Sequence, residues 1–376
     1  MDNINIPAID LKDDQVHNIV ERYHELKESS KDVRCREFIL EDDIKWTSWI
    51  VRESVYKKKP GKLPGLARGL FTKKTNGKHS IMVRGYDKFF NVFETAATQW
   101  PALETETTGP YEITAKENGC IIFIAALSKD KIVVTSKHSI PEDKTDIKAH
   151  AGVGYNWVIK HLASVDKKEK DLAEWLFEKG VTLVAELCDD EFEQHILPYT
   201  GKLRGLYLHG INYNTSTLQT LPSATVQRVA LAFGFHTTSF ETFSSIKEVK
   251  QFAEEMQRTG YLNGREIEGV VVRCKRDGND FMFKIKNEQY LQYREYREIT
   301  KSLLHIHSDG TVSIDPTKQA KYRYEKTKFY IDWLKEKVKE HPEWFKEYKA
   351  EKGIIQTRQE FEEYWKETGS SAATEK

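Results

Sequence analysis

The sequence has no Cys-x-x-Cys pair, no apolar run long enough to cross a bilayer, and no surplus of charge of either sign. Its four cysteines, Cys35, Cys120, Cys188 and Cys274, are scattered, and three of them fall inside apolar runs, which reads as reduced core thiols. A spanning helix needs roughly 20 consecutive apolar residues, and none occurs. The first residues include Asp2, Ile4 and Asp10 in place of a basic and then apolar leader, so an intracellular protein of cytoplasm or nucleus is expected. With 58 basic and 58 acidic side chains, nothing global announces a polyanionic partner. The charge is uneven, however. Lys57, Lys58, Lys59, Lys62, Arg68, Lys73 and Lys74 crowd into one short segment able to meet phosphates, while Asp189, Asp190, Glu191 and Glu193 restore the balance elsewhere.

What remains is ample material for a core under a charged surface, 39% hydrophobic against 31% charged residues. At 376 residues the chain exceeds one ordinary core, and two domains are expected. Val16, Ile19, Val20, Tyr23 and Leu26 recur at helical spacing behind Asp13 and Asp14, which suit an N-cap. From about residue 67 to 286 short β-rich runs take over: 120–127, 131–137, 182–188, 203–211, 269–274 and 281–286. Helices are expected between them at 168–179, 224–233 and 246–259, the last two ending at Gly234 and Gly260. The expected fold class is α+β, with antiparallel sheets in residues 1–290 and an all-helical C-terminal domain over 291–368. The small polar end, 369–376, is expected to be disordered.

The sharpest local feature is Lys116-Glu117-Asn118-Gly119, directly before the apolar run at Cys120. A lysine in a turn ahead of a buried strand stands beside a rigid sheet, and its amine can attack the α-phosphorus of ATP and hold AMP as a phosphoramidate. Gly119 allows close backbone approach. Alone, Lys-x-x-Gly reads as a turn. The charged residues inside other apolar strands change its weight. In 281–286, alternation puts Lys284 and Lys286 on one face and Phe281, Phe283 and Ile285 on the other. Asp277-Gly278-Asn279 marks a hairpin with the run from Glu268 to Arg273. Pairing Arg276 with Asp280 sets Val272 opposite Lys284 and brings Glu268 to the lysine face. Two cations and an acid then share a pocket, where the cations can offset phosphate charge and lower the pKa of Lys116. Glu186, an acid inside the apolar strand 182–188, needs a partner there: ribose hydroxyls or a structural lysine.

In this combination the chain resembles the covalent nucleotidyltransferase superfamily, in particular the ligase domain of fungal tRNA ligases and more distantly the phage RNA ligases, across most of residues 60–300. Lys116 to Gly119 resembles the nucleophile motif, Thr135-Ser136-Lys137 the short motif after it, Glu186 the ribose-binding acid, 203–211 the next strand motif, Glu268-Gly269 the acid near metal and phosphates, and Lys284-x-Lys286 the last motif. Ala67-Arg68-Gly69 and Lys88-Phe89-Phe90-Asn91 resemble segments that contact ATP phosphates in phage ligases. The resemblance implies Lys116 as nucleophile and an ATP/AMP site of Arg68, Lys88, Glu117, Asn118, Gly119, Lys137, Glu186, Glu268, Lys284 and Lys286. It also implies Mg²⁺, with Mn²⁺ as substitute, and Glu268 acting on the metal's water or on the nucleophilic lysine.

Such enzymes seal an RNA 5′-phosphate to a 3′-OH end bearing a 2′-phosphate, on tRNA exon halves or cleaved mRNA. Arg294 and Arg297, at i, i+3 spacing, with His195, are the expected clamp for that phosphate; pairing of the arginines with Glu295 or Glu298 is the bland reading. The family's polynucleotide kinase and cyclic phosphodiesterase are expected as separate functional partners. No Gly-Lys-Ser or Gly-Lys-Thr occurs here, and His236 to Thr238 is the single His-x-Thr. Capping guanylyltransferases and DNA ligases usually carry Asp where Asn118 stands and add a β-barrel, whereas residues after 290 read as helices. A catalytically silent RNA-binding module is the alternative outside enzymes.

Overall fold

A computed structural model describes residues 4–9 and 14–372. Two compact units are formed. The first comprises the residues up to Cys188 together with Gly205–Phe252 and Val270–Ile285, and the second Asp189–Arg204, Ala253–Gly269 and the chain from Lys286. The mixed architecture with antiparallel sheets and C-terminal helices is the expected one, but packing does not divide the chain at residue 290.

In the first unit, α1 (Asp14–Ser29) lies over a four-stranded sheet of β1 (Val33–Ile39), β2 (Lys45–Val51), β3 (Leu70–Thr75) and β4 (Lys78–Arg84). The helix buries Val16, Val20 and Tyr23 against Trp49, Val51 and Leu70, so its apolar stripe supplies the contact. Asp13, read as an N-cap, lies outside the described residues. Between these strands, α2 (Glu53–Lys58) follows β2.

Two five-stranded sheets complete the unit. In one, β7 (Cys120–Ala126) lies between β8 (Ile132–Thr135) and β9 (Val181–Cys188), and β9 pairs with β10 (Gly205–Tyr213), which carries the short β11 (His236–Thr237). Helices α4 (His150–Ala163), α5 (Glu169–Lys179) and α6 (Ser223–Ala232) pack on this sheet. The other sheet runs β12 (Phe240–Phe243), β6 (Thr107–Lys116), β15 (Gly269–Arg276), β16 (Asn279–Lys286) and β5 (Phe90–Asn91), with α3 (Trp100–Glu106) leading into β6. Phe71, Val83, Phe123, Val184 and Met282 meet in one apolar cluster, so all three sheets share a core.

The second unit draws on α8 (Glu288–Leu303), α9 (Glu325–Glu340) and α10 (Ile354–Ala372), packed through rings. Tyr296 stacks on Tyr330 at 4.3 Å, and Phe361 meets both edge-on at 5.3 and 5.0 Å. This region is not all helix. Leu304–Ile306 and Val312–Ile314 form a hairpin, β17 and β18, because Asp309 caps its own turn by accepting from the backbone and hydroxyl of Thr311. Two earlier segments are tied in as well. Lys352 donates to the carbonyls of Asp190 and Glu191 at 3.0 and 2.6 Å, and Arg358 makes two bonds to Glu266 at 3.0 and 3.2 Å. Glu266 belongs to a small hairpin, β13 (Tyr261–Leu262) and β14 (Arg265–Glu266), that follows α7 (Ile246–Thr259). The polar end, expected to lack structure from Gly369, continues α10 to Ala372, and residues 373–376 lie outside the described residues.

One crossing positions the site. Lys116 ends β6 in one sheet and Cys120 begins β7 in the other, so three residues, Glu117, Asn118 and Gly119, carry the chain between sheets. At Gly119 a Cβ would lie 2.1 Å from the Leu187 carbonyl oxygen and 3.0 Å from Cys188 Sγ. Gly119→Ala should therefore destabilise the fold by about 1–3 kcal/mol. Gly61→Ala, with nothing within 4 Å of its Cβ, should be near neutral; equal denaturation midpoints for the two variants would contradict the crossing.

His161 of α4 is fixed as a neutral ring: Nδ1 donates to the Gly234 carbonyl at 2.8 Å and Nε2 accepts from the Leu206 amide at 2.9 Å. Burial, with His236 alongside, holds its pKa down at about 4. Because the folded value is below the ordinary 6.5, the penalty is absent above pH 6.5 and grows as pH falls toward 4. It reaches on the order of 3 kcal/mol. A histidine-resolved NMR titration should find His161 neutral until near pH 4; titration near 6.5 would contradict this reading.

Candidate active site

Lys116 is the last residue of a ten-residue strand, not part of a turn ahead of one as expected. Ala115 donates its amide to the Ser239 carbonyl at 2.9 Å, and Thr114 donates its hydroxyl to the Val271 carbonyl at 3.3 Å. The lysine thus issues from a strand held on both sides. Glu117 and Asn118 are buried, and the Gly119 amide donates to Glu186 Oε1 at 3.2 Å. The partner that Glu186, half-buried in its apolar strand, required is this backbone amide, together with His209, whose Nε2 stands 3.7 Å from Oε2.

His209 was not singled out from sequence, nor were the two residues behind it. A register shift between Leu208 and Gly210 breaks the regular alternation of β10 at His209. The Tyr86 hydroxyl lies 3.1 Å from His209 Nδ1 and 3.1 Å from its carbonyl oxygen. Arg273 Nη2 donates to that hydroxyl at 2.8 Å and also to the His209 carbonyl. Burial pushes the Tyr86 hydroxyl pKa up, which keeps it protonated as the link in this chain. The signal available in the sequence was an arginine after Val270-Val271-Val272, a cation in an apolar strand that had to be paired.

Arg68 and Lys88, expected to meet phosphates, and Lys137, expected in the ATP/AMP site, come together on an acid that sequence reasoning missed. Glu53, the first residue of α2, accepts from Arg68 Nε at 2.7 Å and Lys137 Nζ at 3.1 Å through Oε1, and from Lys88 Nζ at 3.1 Å through Oε2. Partial burial works against its charge, but the bond and charge of Arg68, with Lys137 and Lys88, hold its pKa down at about 2. Burial, with Arg68 beside it, holds Lys137 below the ordinary lysine value. Lys57, Lys58, Lys59 and Lys62, the densest part of the basic segment, are exposed and not among the cations on Glu53.

The β15–β16 hairpin differs by one residue from its expected register. Its turn is Asp277-Gly278, both at positive φ, so the strand limits pair Arg276 with Asn279. Lys275 accordingly bonds across to Asp280 at 2.6 Å. Val271 and Arg273, not Val272 and Val270, then share the face of Lys284, whose Nζ lies 5.6 Å from the Phe89 ring centre. In the second unit, Lys286 Nζ stands 3.5 Å from Glu268, so that acid and base do meet, the glutamate reaching from just outside the strand.

The expected clamp residues all lie in the second unit. His195 Nε2 is 3.6 Å from Glu193, Arg297 donates Nε and Nη2 to Glu298 at 3.0 and 2.6 Å, and Arg294 is exposed. Arg297 thus makes the glutamate pairing of the bland reading, while Glu295 accepts from the amide of Arg323 and the hydroxyl of Thr327.

A family model described as RNA ligase matches residues 66–291, more than half of the chain. Among curated proteins, tRNA ligase 1 of Schizosaccharomyces pombe is 46% identical over 311 residues, covering 80% of this chain and 38% of that protein. The tRNA ligase of Candida albicans is 41% identical over 368 residues, covering 91% of this chain and 43% of that one. The chain therefore spans less than half the length of these relatives. Among solved structures, an archaeal ATP-dependent RNA ligase is similar in fold, with a TM-score of 0.50 at 14% identity over 90% of this chain and 77% of that chain. The matched segment begins just before Arg68 and ends just past Lys286, so it takes in the strand-end lysine, Glu186 and the cations of the last motif. On that match, the chain belongs to the RNA ligase family.

Proposed function

We propose that this chain is the adenylylating and sealing part of an ATP-dependent RNA ligase that joins an RNA 5′-phosphate to a 3′-OH end carrying a 2′-phosphate. The observation that carries the reading is the placing of Lys116 at the end of β6, directly before the Gly119 amide that Glu186 holds. A nucleophile needs a fixed origin beside its leaving-group site. The neutral amine of Lys116 attacks the α-phosphorus of ATP; the P–N bond forms, the bond to the β-phosphate oxygen breaks, and pyrophosphate leaves. An RNA 5′-phosphate oxygen then displaces lysine to give RNA-adenylate. The 3′-OH finally attacks the 5′-phosphorus and expels AMP.

Arg68, Lys88 and Lys137 supply positive charge for the triphosphate. Glu186 binds ribose, and Glu117, Asn118 and Gly119 line the nucleotide beside Lys116. From the sequence pattern, Lys284 and Lys286 join the phosphate-binding set. Glu268 is a buried carboxylate, a hard oxygen donor that fits Mg²⁺ or Mn²⁺ held through water. Such an ion, when bound, offsets phosphate charge. His195, Arg294 and Arg297 receive the 2′-phosphate, with Arg297 exchanging its Glu298 pairing for a bidentate phosphate contact. The substrates are tRNA exon halves or cleaved mRNA, prepared by a polynucleotide kinase and a cyclic phosphodiesterase, in cytoplasm or nucleus. Among the described residues no helix is long and apolar enough to cross a membrane.

With α-labelled ATP and a divalent ion, the protein should take covalent label, Lys116→Ala should take none, and 5′-phosphorylated RNA should release it. Ligation should require the 2′-phosphate on the acceptor. Label from GTP would point to a capping guanylyltransferase, sealing of DNA alone to a DNA ligase, and RNA binding without label to a silent module.

A further inference from the structure

Glu53 is the feature of the candidate site that the proposed chemistry leaves without a task. It stands in α2, before the segment matched by the family model, and it holds cations from three separate stretches of chain. The backbone around it is tied independently of its carboxylate. Val55 and Tyr56 of α2 are buried, and the Tyr56 hydroxyl donates to the Ala67 carbonyl at 2.9 Å, next to Arg68. The Arg68 amide donates to the Tyr86 carbonyl and the Lys88 amide to the Leu66 carbonyl, both at 2.8 Å, so the stretches bearing Arg68 and Lys88 are laced together.

The donors are divided in a telling way. A guanidinium offers five N–H groups and an ammonium three. Glu53 takes the Nε of Arg68 and one bond from each lysine, which leaves both terminal nitrogens of the guanidinium and two N–H groups on each ammonium. Three cations against one carboxylate also leave two positive charges at the cluster. Without the acid, three like charges at this spacing would repel one another and their flexible side chains would spread.

We infer that Glu53 is a positioning residue for the triphosphate: it gathers Arg68, Lys88 and Lys137 before ATP arrives and leaves their remaining donors for the phosphates that depart as pyrophosphate. This rests on the ATP-dependent reading above. The contacts of Glu53 are to Arg68, Lys88 and Lys137, and through them its influence is confined to the step that uses a triphosphate.

The test separates that step from the last one in the whole chain, using Glu53→Ala, Glu53→Gln and Glu53→Asp. Lysyl-AMP formation is followed against ATP concentration, and sealing is followed separately on pre-adenylylated RNA without ATP. Glu53→Ala and Glu53→Gln should need roughly tenfold more ATP or beyond for half-maximal labelling, as expected when phosphate-binding groups lose their placement. Sealing of pre-adenylylated RNA should stay within about twofold of the unaltered protein, since three-dimensional placement of the cations is not used there. Glu53→Asp should recover part of the ATP dependence. Parallel loss of both steps would make Glu53 merely structural and overturn the inference, as would an unchanged ATP dependence. If the unaltered protein takes no label, the ligase reading falls and this inference with it; if it labels normally and the variants match it, this inference alone falls.

Discussion

Three residues carry the chain from one five-stranded sheet to the other, and their passage leaves no room for a side chain at Gly119. Because Leu187 and Cys188 crowd that point, the crossing has one path. Lys116 on one side and the Gly119 amide on the other are therefore fixed relative to two sheets at once. Glu186 completes the arrangement by accepting that amide, and His209, Tyr86 and Arg273 stand behind it in a hydrogen-bonded series. Such a rigid origin suits the nucleophilic role proposed for Lys116, since precision on strands exceeds that of loops.

Electrostatics follow the same plan of small, local compensation. The sequence is neutral overall, and its most basic stretch is mostly solvated surface. The positive charge proposed to meet the triphosphate is brought together from distant segments and restrained by a single acid. That acid remains ionised to about pH 2, so the cluster keeps its composition across the physiological range. Formal net charge said nothing about this, because phosphate recognition depends on where a few donors point.

Elements with one clear period were legible. β7, β9 and α5 are apolar runs or stripes with clear ends, and all three form nearly where expected. β1 was not read, since Arg34, Arg36 and Glu37 interrupt it and only Val33 and Phe38 are buried. α4 was missed because Gly152 and Gly154 weaken its helical pattern; the structure uses Gly154 to bring the helix close to Ile122 and Val134 of the sheet. In the candidate site, Lys116, Glu186, Arg68, Lys88 and Lys137 were chosen as charged residues at strand ends or motif positions. Glu53 and His209 were not, because one looks like an ordinary acid before a lysine run and the other owes its placement to a bulge. A bulge or a convergence of loops has no period to read. The hairpin register was missed by one residue for a related reason: it depended on whether Asn279 belonged to the turn or the strand.

The central claim is that Lys116 holds AMP, and mapping the adduct tests it most directly. The purified chain, treated with ATP and Mg²⁺, is digested under conditions that keep a phosphoramidate, and its peptides are read by mass spectrometry. The account predicts AMP on the peptide containing Lys116 and on that lysine within it. AMP on another residue, or an intact mass that never changes, would contradict it.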